Sequence, residues 1–199
     1  EAYGMTGNPL LREPAQKAVD FLVKCQNPGS GWRYGVRTGE SDTSCTAWAV
    51  TALKMAEYAG LEVPTSCFDA ALAWIDSVTD EETGRTGYMH KGDTGSRLAA
   101  AIDRYGPTEA MSAAALFCRI LIEGETGADR KVAFDQGRLL GTKPPKWDPE
   151  GGETDLYYWY WGSLAMFQMG RMFWKTWNDP MRNALVPAQL REGCVNGSW

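Results

Sequence analysis

Ala110, Met111, Ala113 to Phe117, Ile120 and Leu121 make a run that is apolar around most of a helix. A helix of that kind is stable only when other elements bury it on more than one side. The run Ala47, Trp48, Ala49, Val50, Ala52, Leu53, Met55 and Ala56 has the same character. So does a third, from about Thr154 to Arg171, which carries Tyr157, Tyr158, Trp159, Tyr160 and Trp161 in succession. Each dry run follows an amphipathic one. Ala15, Ala18, Val19, Leu22 and Cys25 recur at helical spacing between Pro14 and Gln26. Phe68, Ala71, Leu72, Ile75 and Val78 repeat the pattern, and Val132, Ala133, Gln136, Leu139 and Leu140 give a weaker version. A fourth amphipathic helix is expected between Asn178 and Gln189, with Pro180 in its first turn. Asn27-Pro28-Gly29, Gly60 and Pro64 punctuate the alternation, and period-two patterning is nearly absent. The pattern predicts an all-α array of helical hairpins, outer helix then inner helix, stacked so that each inner helix is covered.

Charge and composition narrow the function. A net charge of −5 gives no basic footprint for nucleic acid, and no apolar run is long enough to span a bilayer. The five cysteines, Cys25, Cys45, Cys67, Cys118 and Cys194, are scattered and never form a CxxC pair. Neither a disulfide framework nor a structural zinc site is expected; most read as small buried apolar residues. The chain opens on Glu1 without a signal-like segment, which suggests a processed or excised piece. Nine tryptophans and eight tyrosines suit thick packing between helices or the wall of an apolar cavity.

A turn motif also repeats. Gln26-Asn27-Pro28-Gly29-Ser30-Gly31-Trp32 is matched, with a longer gap, by Gln189 through Gly193 to Asn196-Gly197-Ser198-Trp199. Gln at a helix end can satisfy backbone groups of a neighbouring terminus. Gly permits positive φ, and Trp can stack over the amide to seal the hairpin. Thr86-Gly87-Tyr88 and Lys146-Trp147 read as degenerate copies.

This motif resembles the QW repeat of the squalene–hopene cyclase and protein prenyltransferase superfamily. The resemblance implies an α/α toroid in which inner helices surround a central cavity, with the motif as a structural clamp. Here it implies an incomplete toroid of about three to four hairpins, part of a longer protein or completed by a second chain.

The resemblance also frames the chemistry. The cyclases protonate an alkene with a DxDD acid at the start of an inner helix. In Gly39-Glu40-Ser41-Asp42-Thr43 only Asp42-Thr43 matches, and Ser41 occupies the protonating position, so cyclising chemistry is not expected from this segment. Asp42 reads as a helix cap. The prenyltransferases hold zinc with Asp, Cys and His; Asp42, Cys45 and His90 are the candidate set, although the family's Asp-x-Cys spacing is absent. His90 lies in a long connection from Gly84 to Pro107, near Lys91, Arg97 and Arg104, which reads as a lid or a partner contact. Trp48 and the run Tyr157, Tyr158, Trp159, Tyr160 and Trp161 are the ligand-binding candidates, since aromatic rings line the cyclase cavity. Glu109 and Asp155, at the mouths of inner helices, would be the acid and base of an α/α-barrel glycosidase. Met166, Phe167, Met169, Met172 and Phe173 form a candidate membrane-contact patch. No cofactor is expected, and the thioester motif of other toroid proteins is not found. The sequence therefore favours a non-cyclising repeat domain that binds an apolar or isoprenoid-like molecule, or a protein segment. Its alternatives are an isoprenoid cyclase or transferase whose catalytic residues lie elsewhere, and a carbohydrate-active barrel.

Overall fold

A computed structural model describes residues 1–93, 108–150 and 154–199. Among them there is no β-strand, only the isolated bridges Arg33–Gly35 and Thr79–Thr86. Nine α-helices are described: α1 (Ala2–Thr6), α2 (Arg12–Cys25), α3 (Thr43–Tyr58), α4 (Thr65–Ser77), α5 (Ala110–Glu123), α6 (Glu125–Asp129), α7 (Lys131–Gly141), α8 (Leu156–Gln168) and α9 (Arg171–Ala188).

The dry helix α5 is the centre. Every residue from Ala110 to Leu121 is buried, with α3 on one side and α8 on the other. Behind these three, α2 and α4 pack on α3, α4 and α7 on α5, and α7 and α9 on α8. The inner helices run in the same direction. Ser44 at the start of α3 meets the Tyr157 hydroxyl at the start of α8 at 2.5 Å. Thr108, just before α5, donates to Asp155, the N-cap of α8, at 2.7 Å. The wet–dry alternation of the sequence is thus an alternation in space.

Inside this apolar packing Arg119 is fully buried. It pairs with Asp76 at the end of α4 and donates to Thr79 Oγ1 at 3.1 Å. A buried charge is tolerated only when it is paired in this way.

The two Gln–Trp turns fold alike. Gln26 Nε2 donates to the Ser30 carbonyl (2.8 Å), and the Trp32 indole N–H donates to the Leu22 carbonyl (2.8 Å). Gln189 Nε2 donates to the Gly197 carbonyl (3.0 Å), and the Trp199 indole to the Leu185 carbonyl (2.7 Å). In each turn the amide following Gln donates to the carbonyl preceding Trp: Asn27 to Gly31 at 3.0 Å, Leu190 to Ser198 at 2.9 Å. Each indole therefore donates to a carbonyl in the last turns of the preceding outer helix: that of Leu22, passed over by the Gln26 amide in favour of Val23, and that of Leu185, which also accepts from the Gln189 amide at 3.1 Å. Gln26 also reaches the Cys67 carbonyl of α4 at 2.9 Å, tying one hairpin to the next. Gly31 is required by close approach and not by positive φ: a Cβ there would lie 2.1 Å from Thr46 Oγ1. Gly29 supplies the positive φ, at 65°.

The two degenerate turns close differently. Thr86 joins Thr79 (2.8 Å) and Gln136 (3.0 Å) in a buried network. After α7, the Tyr158 hydroxyl donates to the Lys143 carbonyl at 3.0 Å.

Two helix boundaries depart from expectation. The third dry helix stops at Gln168, because Gly170 turns the chain with φ 83°. The last outer helix then starts at Arg171, not near Asn178, so Pro180 and Pro187 lie inside it and Pro180 is not in its first turn. Phe173, Trp177, Met181 and Ala184 share the packed face of α9, and their burial outweighs the roughly 3 kcal/mol that an interior proline costs. The short α1 and α6 were not expected; α6 brings Gly127 against the Arg119 backbone, where a Cβ would lie 2.6 Å from its carbonyl oxygen.

The clasps give a stability prediction. Trp32 is 2% exposed and Trp199 is 53% exposed. Trp32→Phe keeps a benzene ring but removes the pyrrole ring and its N–H, leaving a gap and a carbonyl without its partner, and should cost about 2–4 kcal/mol in urea denaturation. Trp199→Phe should cost about half as much or less, because water replaces the lost bond. Equal losses would show that the indole N–H does not act as a cap.

Candidate functional site

The N-terminal ends of the inner helices gather the acidic candidates. Asp42 is the N-cap of α3: its Oδ1 accepts from the Cys45 amide at 2.7 Å, and it is fully buried. Among the described residues its Oδ2 has no hydrogen-bond partner, and it lies 4.0 Å from Arg33 Nε. Glu109, beside the first turn of α5, is buried and ion-paired by Arg85 (3.0 Å) and Lys143 (2.9 Å). Asp155 caps α8, accepting from the Tyr158 amide at 3.0 Å. Caps and ion pairs therefore engage Glu109 and Asp155, and acids at helix N-termini complement the helix dipole.

The metal candidates do not assemble. Asp42 and Cys45 adjoin across one helical turn, but His90 is exposed in its loop and does not join them. Among the described residues no three His, Cys, Asp or Glu side chains come together as metal ligands. Burial, reinforced by Asp42, pushes the Cys45 thiol up to about 12. Arg97, Arg104 and most of the loop expected to act as a lid lie outside the described residues.

The aromatic candidates divide sharply. Trp161 is fully buried, 4.6 Å from the Trp48 ring and 6.0 Å from Phe117. Trp159 is buried beside Trp147. Tyr158 is buried edge-on to Trp177, and burial raises its phenol pKa well above the ordinary range. These three are packing, so the structure moves them off the ligand surface. Tyr157 is half-buried and engaged by Ser44. Trp48 and Tyr160 remain accessible, and they stack on each other at 5.3 Å and 26°. Their pair bridges α3 to α8.

Towards the C-terminal ends of the inner helices the same face opens into a groove of about 740 Å³. Met55 and Tyr58 of α3, Phe117 and Ile120 of α5, and Leu164 and Phe167 of α8 line it, with Glu125 and Asp129 of α6 on one wall. Tyr58 is 67% exposed and Phe167 60%. Sequence reasoning missed this groove, although it names Met55 and Phe167 as apolar. Of the candidate membrane-contact residues, Met166 is buried, Met169 and Phe173 pack against the core, and Phe167 and Met172 are exposed. Among the described helices none is long and apolar enough to cross a membrane.

Comparison with family models, curated proteins and solved structures returned no match.

The buried thiols set a pH dependence. Cys45 and Cys118 are both raised to about 12 by burial, from an ordinary 9.0. The folded state thus holds protons that the unfolded state releases above about pH 9, so stability falls as pH rises from there. Urea midpoints should be level from pH 7 to 8 and decline between pH 9 and 11. A midpoint that rises over that interval would contradict the burial of these groups.

Proposed function

We propose that the chain is a helical-hairpin array of the cyclase and prenyltransferase toroid type, and that it binds an apolar ligand on the exposed face of its inner helices. One observation carries this reading. Met55, Tyr58 and Phe167 stand exposed on inner helices that are otherwise dry, around a groove of about 740 Å³. That volume lies in the range of small-molecule sites, which are concave and mostly apolar. The QW resemblance is supported by the repeated amide and indole hydrogen bonds of the two turns. Ser41 in place of the protonating acid favours binding without cyclisation.

A second reading, an isoprenoid cyclase or transferase, draws on Asp42, whose buried Oδ2, at the mouth of an inner helix, lacks a partner among the described residues. On that reading, the protein incubated with squalene or prenyl diphosphates yields a cyclised or transferred product that Asp42→Asn reduces. The binding reading expects no product.

For the groove itself, Phe167→Ala should weaken an apolar fluorescent probe by about tenfold, as expected when a large apolar contact is lost. Trp159→Ala would report on stability instead, because that ring is buried. Probe affinity unchanged in Phe167→Ala, with helix content intact by circular dichroism, would place the ligand elsewhere.

A further inference from the structure

Helix ends at the groove carry an electrostatic signature. Its lining includes Tyr58, the last residue of α3, Gly124, the C-cap of α5, and Gln168, the last residue of α8. The C-terminal ends of α3 and α8 thus face one hollow, where their dipoles favour positive charge, while Gly124 joins the end of α5 directly to the start of α6. Proteins ordinarily place Lys or Arg in such last turns. The outer helices α2 and α7 do so, with Lys24 and Arg138, whereas α4 and α9 do not. None of the three inner helices has a basic residue in its last turn.

The wall adds to the same sign. Glu125 and Asp129 are exposed, line the groove and form no ion pair among the described residues. Among the described residues no basic side chain lines the groove. Lys54 is engaged by Glu57 at 2.5 Å, and Arg130 by Glu123 at 3.1 Å and Asp76 at 3.5 Å. The floor, by contrast, is Met55, Phe117, Leu164 and Phe167.

From this arrangement we infer that the groove takes a cationic amphiphile: an apolar chain laid on Phe117, Leu164 and Phe167, with an ammonium head near Gly124, Glu125 and Asp129. The assignment rests on the apolar-ligand reading and specifies its substrate class. It runs against an anionic diphosphate head, which the C-terminal ends of α3 and α8 and two carboxylates would repel. The hollow's size suits one small molecule. A stable protein interface buries about 800 Å² on each partner.

The test is calorimetric titration of the whole chain with dodecyltrimethylammonium, dodecyl maltoside and dodecyl sulfate, each below its micelle concentration. The ammonium head should bind about tenfold tighter than the maltoside, and the sulfate weakest. Glu125→Gln/Asp129→Asn should cut the ammonium preference to threefold or less, about the share left to the helix ends, while leaving maltoside binding unchanged. Phe167→Ala should weaken the ammonium and maltoside ligands together. Equal binding of all three heads, still sensitive to Phe167→Ala, would overturn the cationic assignment and leave the apolar-ligand reading standing. Ammonium binding as tight in Phe167→Ala as in the unaltered chain would place that ligand outside the groove and overturn the assignment. Binding of none of the three would overturn both. A basic amphipathic peptide that displaces the ammonium ligand at a tenfold lower concentration would replace the small molecule with a protein segment.

Discussion

A helix with no wet face cannot stand at the edge of a structure, and α5 is such a helix from Ala110 to Leu121. Its burial dictates the positions of the rest. α3 and α8 must flank it, and α4 and α7 must cover its back. The Trp48–Tyr160 stack then closes over it from the front, with Trp161 wedged against Phe117 beneath. Apolar burial of this kind, at roughly 25 cal/mol per Å², is the main favourable term in the fold. The exception inside it is Arg119, held by Asp76 and Thr79. Once α3, α5 and α8 lie side by side and parallel, their C-terminal ends meet at one hollow.

The clasps determine how one hairpin joins the next. Gln26 and Gln189 use the same acceptors relative to Trp32 and Trp199, despite different spacings between Gln and Trp. The longer second turn absorbs its extra residues in the short 3-10 segment Gly193–Val195. A hydrogen-bond pattern that survives a change in loop length has a structural role. Where the motif decays, other side chains take over its task. Tyr158 caps the carbonyl of Lys143, and Thr79, Thr86 and Gln136 hold the turn after α4.

Much of this was legible in the sequence. The alternation of wet and dry helices follows from periodicity, because burial on one side or on all sides leaves different patterns in a 3.6-residue repeat. Asp42 as a cap follows from its place before a dry run. What could not be read was orientation. Five successive aromatics cover every face of α8, and only packing decides that Tyr160 is accessible while Trp159 and Trp161 are buried. The start of α9 was hidden because Gly170 interrupts an apolar stretch and Pro180 suggests a beginning that packing overrides. The groove draws on residues from Met55 to Gln168, and no local pattern joins positions so far apart.

Structure and proposed activity meet in one requirement: the inner helices must be rigid and covered behind, so that their front remains a fixed apolar surface. Native-state hydrogen exchange tests that requirement directly. Amides in the middle of α5 should exchange only through global unfolding, with the highest protection in the chain. Those of α4, α7 and α9 should exchange through smaller, local openings. Amides of α5 that exchange as fast as those of the outer helices would contradict the central place given to that helix.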